Sequence, residues 1–285
     1  MIKILLLLIP FTIVATQISL AQTNQKGTDT VPEVKKRTTL TLAAIYNTNA
    51  DYYGQTADKK LPYVLANATL SFPFKLSFSI SSYKLLDSTK GVTATILGLG
   101  YDFSLAKNLN AGLNYSHTFN ATNSPLLQAA NTDNASANIN YKYWLTTGLT
   151  LDFAFGDEQD NFLTFSSSKE IDLGSFTDKD VISLEPRIEI VGGTQHFYQS
   201  YTTTQRERGR LLGGIFQKPK VTTATTTVAT TKFNLLSYNF SLPLSYNRSN
   251  YMIEATYKLS ILGKKVETVS RTPNSFFNLG FYYQF

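Results

Sequence analysis

Apolar and polar residues alternate along most of this chain with a period of two, which is typical of β-strands that have one apolar face. In segment 93–103, for example, the odd-numbered residues from Leu97 to Phe103 are apolar or aromatic, and the residues between them are small or polar. The same pattern predicts twelve strands, at 38–46, 64–72, 74–80, 93–103, 109–119, 134–145, 149–155, 182–190, 195–204, 236–244, 251–261 and 277–285. Between 157 and 232 the pattern defines the strands least well.

The connections between these strands alternate in length. Short turns are predicted at Pro73, 106–108, Thr146–Thr147, Gly192–Gly193 and 247–250. The longer connections are 47–60, 120–133, 156–179, 205–231 and 263–273, with 86–91 of intermediate length. Such alternation is typical of an up-and-down antiparallel β-barrel with an even number of strands and both termini on one side.

Aromatic residues are concentrated beside the predicted short turns. The residues concerned are Phe72, Phe74, Tyr101, Phe103, Tyr141, Tyr143, Tyr246, Tyr251, Tyr283 and Phe285. Aromatic rings gathered at one end of the strands suit a membrane interface, where one part of a ring contacts lipid and the other water. A soluble β-sandwich gives no reason for this arrangement.

The last ten residues resemble the closing strand of bacterial outer-membrane β-barrels. Phe277, Leu279, Phe281, Tyr283 and Phe285 share one face, and the other face is small or polar. The resemblance implies an all-β transmembrane barrel of about twelve strands in the outer membrane of a Gram-negative cell, with both termini periplasmic. It also implies that Phe281, Tyr283 and Phe285 form a signal for the barrel assembly machinery. The triplets 29–31 and 87–89 resemble the O-glycosylation acceptors of Bacteroidetes.

The amino-terminal residues predict export. A basic start, an apolar run from Ile4 to about Ala15 and the small residues Ser19 and Ala21 read as a signal peptide over 1–21. A flexible periplasmic lead is predicted for 22–37, followed by the barrel at 38–285. The chain has no cysteine, so lipid attachment, disulfides and thiolate metal sites are excluded. A formal charge of +6 is modest, and nucleic acid is not an expected partner after export.

The sequence predicts no catalytic residue, metal site or cofactor. His117 lies on the predicted lipid-facing side of its strand, as does the catalytic histidine of outer-membrane phospholipase A and lipid A deacylases. In the His-x-Ser pattern of those enzymes, however, Phe119 takes the place of the serine, and Ser116 points to the opposite face. His117 is therefore interpreted as an interfacial residue, and His196 as lumen lining.

Charged residues are expected in the lumen. The predicted inward positions are Lys75, Asp102, Lys142, Asp152, Glu185, Arg187, Glu189, Glu254 and Lys258. Their mixed signs argue against a strongly selective ring of one charge and favour internal salt bridges, with residues 185–189 paired to Lys142 or Lys258.

Two loops carry further clusters of charge. Arg206, Arg208 and Arg210 predict a basic extracellular loop that either binds acidic solutes or contacts lipopolysaccharide phosphates. The acidic loop 156–161 could chelate Ca²⁺, although a solvated loop is the simpler interpretation, because its spacing is not that of a dedicated calcium loop.

These observations leave several functions open. The leading hypothesis is a small porin-like conduit for small solutes, or a mainly structural barrel. Outer-membrane lipid, lipopolysaccharide and other envelope proteins are the expected partners. The alternative is a barrel subunit of a secretion, adhesion or uptake complex with its long loops as binding surface. An outer-membrane hydrolase is the third and least favoured hypothesis, because the sequence offers no nucleophile–base pair. No enzymatic activity is therefore expected.

Overall fold

The computed structural model describes residues 37–57, 59–87, 91–122, 124–198, 232–266 and 272–285. The predicted signal peptide, residues 22–36 of the predicted lead and the predicted arginine loop lie outside these residues. Sixteen strands are described: β1 Thr39–Asn47, β2 Asp51–Tyr52, β3 Gln55–Thr56, β4 Tyr63–Ser71, β5 Leu76–Leu85, β6 Ala94–Ala106, β7 Leu109–Asn120, β8 Asp133–Lys142, β9 Thr146–Phe155, β10 Gln159–Ser168, β11 Ile171–Gly174, β12 Asp180–Leu184, β13 Arg187–Gly193, β14 Asn234–Arg248, β15 Tyr251–Leu262 and β16 Asn274–Gln284.

Fourteen of these strands form a closed antiparallel barrel, and β2 and β3 pair separately. The barrel wall has twelve staves, where a stave is one strand, or two consecutive strands that follow one another in the wall. Each stave pairs with the next along the chain, and β1 closes the ring on β16, from Thr41 opposite Gln284 to Asn47 opposite Asn278. Two staves are bent. β11 continues β10, and β12 continues β13 across Glu185 and Pro186, where proline cannot donate a ladder hydrogen bond. The predicted antiparallel β-barrel and its number of strands are confirmed.

The two ends of the barrel differ in their connections. We call the end that carries Thr39 and Gln284 the terminal rim; its turns span 72–75, 107–108, 143–145, 175–179 and 249–250. The opposite end, the loop rim, carries the connections 48–62, 86–93, 121–132, 156–158, 194–233 and 263–273. A 3-10 helix, Leu127–Ala130, lies in the third of these. No helix of the described residues is long and apolar enough to cross a membrane.

The predicted structure between 157 and 232 was wrong in three places. Residues 159–168, predicted as part of a loop, form β10. Its outward apolar residues are only Leu163 and Phe165, and inward Phe162 interrupts the alternation, so the pattern is weak. The strand from 182 to 190 also continues through the predicted turn at Gly192 and Gly193.

These glycines serve close packing instead of a turn. A Cβ atom at Gly193 would lie 2.5 Å from Cδ1 of Phe162, and one at Gly192 would lie 2.8 Å from Cε1 of Phe233. The predicted strand at 195–204 is absent from its described residues, 195–198, because residues 196–198 are helical. Residues 199–204 lie outside the described part. One missed strand and one superfluous strand left the predicted count at twelve.

The barrel reverses the usual distribution of apolar residues. The outward face is apolar, and its exposed side chains include Phe78, Ile80, Leu97, Leu99, Leu151, Phe240, Leu242, Phe281, Tyr283 and Phe285. The inward face is largely polar and includes the buried Ser81, Ser116, Ser136, Asp152, Thr164, Asn239 and Glu254. An apolar outer band around a polar interior suits a hydrocarbon surrounding.

Candidate functional site: the lumen and its inner hairpin

One half of the inner wall is polar and almost uncharged. It is formed by strands β4 to β8, whose inward residues include Asn67, Thr69, Ser77, Ser79, Ser81, Asn114, Asn138 and Asn140. Inward side chains are joined by hydrogen bonds here, both between neighbouring strands and along one strand. Asn67 Nδ2 of β4 donates to Ser81 Oγ of β5 at 2.9 Å, and within β8 Asn140 Nδ2 donates to Asn138 Oδ1 at 3.1 Å. This wall offers amide and hydroxyl groups to whatever occupies the lumen.

The facing half of the wall carries the charges. Arg187, Glu189 and Glu254 lie on the inner faces of β13 and β15, and Glu185 lies at the bend before β13. Arg187 Nη2 donates to Glu185 Oε1 at 2.9 Å. Glu254 accepts hydrogen bonds from Ser245 Oγ and Thr256 Oγ1, both at 3.2 Å.

The loop between β1 and β4 folds into the lumen. Its short antiparallel pair, β2 and β3, forms what we call the inner hairpin, residues 51–56. Tyr53 and Gly54 at its tip both have positive φ, 50° and 84°. Two successive residues of that kind give the tight turn whose twist matches a hairpin. Asp51 Oδ2 accepts a hydrogen bond from the Gly54 backbone N–H at 3.2 Å and so braces the turn.

Polar contacts attach the inner hairpin to the wall. Lys258 Nζ lies 2.7 Å from Asp51 Oδ2, in an ion pair between residues 207 positions apart. Ser237 Oγ donates to the Tyr53 carbonyl at 2.9 Å, and Asn274 Nδ2 donates to the Gly54 carbonyl at 3.1 Å. The hairpin therefore contacts β14, β15 and β16.

Aromatic rings hold the other side of the inner hairpin. Tyr53 stacks on Phe162 of β10, and Tyr52 makes edge contacts with Phe162 and with Phe197, which follows β13. Burial raises the pKa of the Tyr52 and Tyr53 phenols above 10.0. Removing these rings from water stabilises the docked hairpin, and aromatic pairs add to that effect.

Asp160 of β10 holds the segment 194–197, which follows β13, against the barrel wall. Its carboxylate is completely buried and accepts hydrogen bonds from Thr194 Oγ1 (2.6 Å), the backbone N–H groups of His196 (2.7 Å) and Phe197 (2.9 Å), and Asn131 Nδ2 (3.1 Å). His196 Nδ1 lies 3.1 Å from the same carboxylate. The carboxylate thereby positions Phe197 beside Tyr52.

These contacts correct one sequence interpretation. Asp160 was assigned to a solvated acidic loop, but its side chain points inward from β10 because the segment is a strand. In the same predicted loop, Asp157 is exposed and Glu158 is half-buried. His196 belongs to a helical turn held by Asp160. Among the described residues, no group of three or more His, Asp or Glu side chains could hold a metal ion.

The predicted lumen charges fall into two groups. Asp152, Glu185, Arg187, Glu189, Glu254 and Lys258 line the interior, whereas Lys75, Asp102 and Lys142 lie at the terminal rim. Lys75 Nζ donates to Ser104 Oγ at 2.9 Å, and Lys142 Nζ lies 3.7 Å from Glu170 Oε2. The predicted pairing of residues 185–189 with Lys142 or Lys258 is not found, because Glu185 pairs within its own stave and Lys258 pairs with the inner hairpin.

An outward-facing polar cluster lies near the loop rim. His117 Nδ1 lies 2.8 Å from Asp133 Oδ1, and that oxygen also accepts a hydrogen bond from Tyr115 Oη at 2.6 Å. Ser116 is buried on the inner face, so its hydroxyl lies on the other side of the wall. The side chains of Phe281, Tyr283 and Phe285 also face outward.

The inner hairpin was not predicted from the sequence, in which residues 47–60 were interpreted only as a polar connection. One signal could have found it. Two tyrosines precede a glycine in Asp51-Tyr52-Tyr53-Gly54, inside a loop that is otherwise polar. A tight turn that carries two large aromatic rings indicates a hairpin packed against the protein. A solvated loop would leave both rings in water, without the stabilisation that burial gives.

Comparison with known proteins reveals similarity in structure alone. No model of a known protein family matches the chain, and no curated protein matches its sequence. The barrel is similar to the KdgM porin (TM-score 0.48, 9% identity, 86% of this chain and 99% of that chain). It is also similar to the NanC porin (0.45, 9%, 86% and 98%) and to LpxR from Salmonella typhimurium (0.46, 10%, 86% and 99%). At these values the likeness carries no argument about solutes or chemistry.

Proposed function

We propose that this protein is a porin-like conduit for small solutes in the bacterial outer membrane. The observation that supports it is a closed barrel with an apolar outer surface and a polar lumen, narrowed by a hairpin folded in from the loop rim. Closed barrels and helices are the structures that satisfy every backbone hydrogen bond in hydrocarbon. A polar lumen in such a barrel serves the passage of polar molecules.

The proposed orientation places the loop rim outside the cell and the terminal rim in the periplasm. Outer-membrane barrels in general have short periplasmic turns and longer extracellular loops. The inner hairpin then narrows the outer half of the conduit. Lipopolysaccharide surrounds the outer loops, and other envelope proteins are the proposed partners at either rim.

Planar bilayer recording tests the conduit. Purified protein inserted into a lipid bilayer is expected to give discrete current steps that vary linearly with voltage. Detergent buffer without protein is the control. Persistent silence from protein that migrates as a folded barrel in unheated gels would contradict the conduit and favour a structural barrel.

A second candidate is an outer-membrane hydrolase, which the outward His117–Asp133 pair favours. A carboxylate that fixes one imidazole nitrogen leaves the other free to act as a base. A hydrolase also needs a nucleophile within hydrogen-bond reach of that nitrogen, and Ser116 faces the lumen. We therefore propose that the chain is not an enzyme. Lipid hydrolysis by wild-type protein in mixed micelles that is lost in His117→Ala would overturn this.

A further inference from the structure

The charges on the described inner wall and inner hairpin are unequal. Between the two rims, six carboxylates face inward and only two cations do. The carboxylates are Asp51, Asp152, Asp160, Glu185, Glu189 and Glu254; the cations are Arg187 and Lys258. The lumen formed by the described residues is therefore negative, although the whole chain has a formal charge of +6.

Both cations are already compensated. Arg187 pairs with Glu185 at 2.9 Å, and Lys258 pairs with Asp51 at 2.7 Å. Lys258 Nζ also lies 5.5 Å from the centre of the Phe276 ring, which further offsets its charge. Neither cation is left to attract an anion in the lumen.

Three carboxylates have no cation of the described residues within 4.0 Å: Asp152, Glu189 and Glu254. Asp152 and Glu254 are buried in the wall, with hydrogen bonds from Ser136 and from Ser245 and Thr256. Glu189 is only half-buried, on the inner face of β13. Of these three carboxylates, Glu189 is therefore the most accessible to an ion in the lumen.

We propose that the conduit prefers cations to anions, with Glu189 as a selectivity residue and Asp51 of the inner hairpin as the group that cancels the charge of Lys258. This inference rests on the proposed function as a conduit. Fixed charges lining a narrow, water-filled passage set the local concentration of mobile ions of opposite sign. Cationic and neutral polar solutes are then the favoured cargo, and acidic solutes are disfavoured.

The Asp51–Lys258 pair makes the proposal sharply testable. Asp51→Asn leaves Lys258 uncompensated and is expected to lower the cation preference, whereas Lys258→Gln leaves Asp51 uncompensated and is expected to raise it. A unit charge about 5 Å from an ion in water changes the local concentration of that ion about four-fold. The ratio of cation to anion permeability is therefore expected to change by about that factor. The double variant Asp51→Asn/Lys258→Gln restores the balance of charge and is expected to return to the wild-type ratio.

These opposite directions separate electrostatics from simple loosening. If the ion pair only held the inner hairpin in place, both single variants would release the hairpin and change selectivity in the same direction. Glu189→Gln is expected to lower the cation preference without touching the hairpin. Asp157→Asn makes the same change of charge at an exposed position of the loop rim and is the matched control.

The measurement is the reversal potential in a planar bilayer under a gradient of potassium chloride. A potential of the sign for potassium-selective passage, shifted in opposite directions by the two single variants, is the expected result. Wild-type conductance that is unselective or selective for chloride would overturn this inference and leave the conduit intact. Silence from folded protein would overturn the conduit and this inference together. Migration of unheated samples in gels verifies that each variant is folded.

Discussion

Tyr53 at the tip of the inner hairpin stacks on Phe162 of β10, with ring centroids 3.7 Å apart and ring planes 17° apart. A residue of the first connection thereby packs against the eighth stave, across the interior of the barrel. This contact makes the hairpin part of the lumen wall.

Removing the Tyr53 ring is expected to widen the conduit. Tyr53→Ala removes the ring that stacks on Phe162. Truncation of a fully buried aromatic side chain costs about 3–5 kcal/mol, and the half-buried Tyr53 should cost less than that. Part of that loss falls on docking of the hairpin, so the single-channel conductance should rise. Tyr53→Phe keeps the ring and is the matched control. Equal conductance for the wild type and Tyr53→Ala would mean that the hairpin does not limit the current.

Gly54 is expected to tolerate no side chain. Its φ of 84° strains any other residue, and a Cβ atom would overlap Ser260 Oγ and lie 2.7 Å from Asn239 Oδ1. Gly174, with φ of 107° and nothing within 4 Å of its Cβ position, supplies the control. Gly174→Ala should cost only the backbone strain, about 1–2 kcal/mol. Gly54→Ala should cost more in urea unfolding and should also raise the conductance; equal costs would show that the hairpin tip does not press on the wall.

Alkaline pH is expected to release the hairpin. The pKa values of Tyr52 and Tyr53 are raised by burial above the ordinary 10.0, so docking favours the neutral phenols. Their contribution to docking is therefore complete below pH 10 and is lost as the pH rises above it. Conductance should increase above about pH 10 in the wild type and less in Tyr52→Phe/Tyr53→Phe. An identical pH profile for the two proteins would contradict a role for these phenols.

Loss of the Asp160 carboxylate is expected to destabilise the barrel. Asp160→Ala leaves hydrogen-bond donors of Thr194, His196 and Phe197 without an acceptor, at a cost of about 1–3 kcal/mol for each donor that stays buried. Asp157→Ala at an exposed position should change the free energy of unfolding by less than about 0.5 kcal/mol. Urea unfolding followed by fluorescence of Trp144, the single tryptophan, measures both. Equal stability of the two variants would refute the anchoring role of Asp160.

A charge on the outer face should be far more costly than the same charge on the inner face. Leu99 faces outward near the middle of β6, and Leu99→Arg should destabilise the barrel by about 2–4 kcal/mol in lipid vesicles. Thr150→Arg, facing inward from β9, is the control and should cost less. The reverse order would mean that the outward face does not contact lipid.

The period-two pattern was enough to predict the barrel, because most staves, such as β6 and β14, keep mainly apolar residues outside and mainly polar residues inside. It was not enough for β10. There the residue types at two inward positions follow from their contacts: Asp160 contacts residues 194–197, and Phe162 contacts the inner hairpin. Period alone holds no information about such contacts.

The lumen charges were partly predictable for the same reason. Inward positions follow from alternation, and Glu189, Glu254 and Lys258 occupy such positions on β13 and β15. Their partners do not follow from alternation. Asp51 reaches Lys258 only because the first connection folds inward, and nothing in the alternation along β15 predicts which loop will arrive there.

The closure of the ring by β1 and β16 has a consequence for how the barrel forms. The Asn278 Nδ2 to Asn47 Oδ1 hydrogen bond joins residues 231 positions apart, at 3.1 Å, and seven residue pairs of these two strands depend on the same long-range encounter. Contacts so distant along the chain make folding slow, since the entropy of closing the loop is lost before the contacts form. In the finished ring no stave can peel away without breaking hydrogen bonds on both of its sides. Assembly and dissociation are therefore expected to be single cooperative events, so that the ring, once closed, is long-lived.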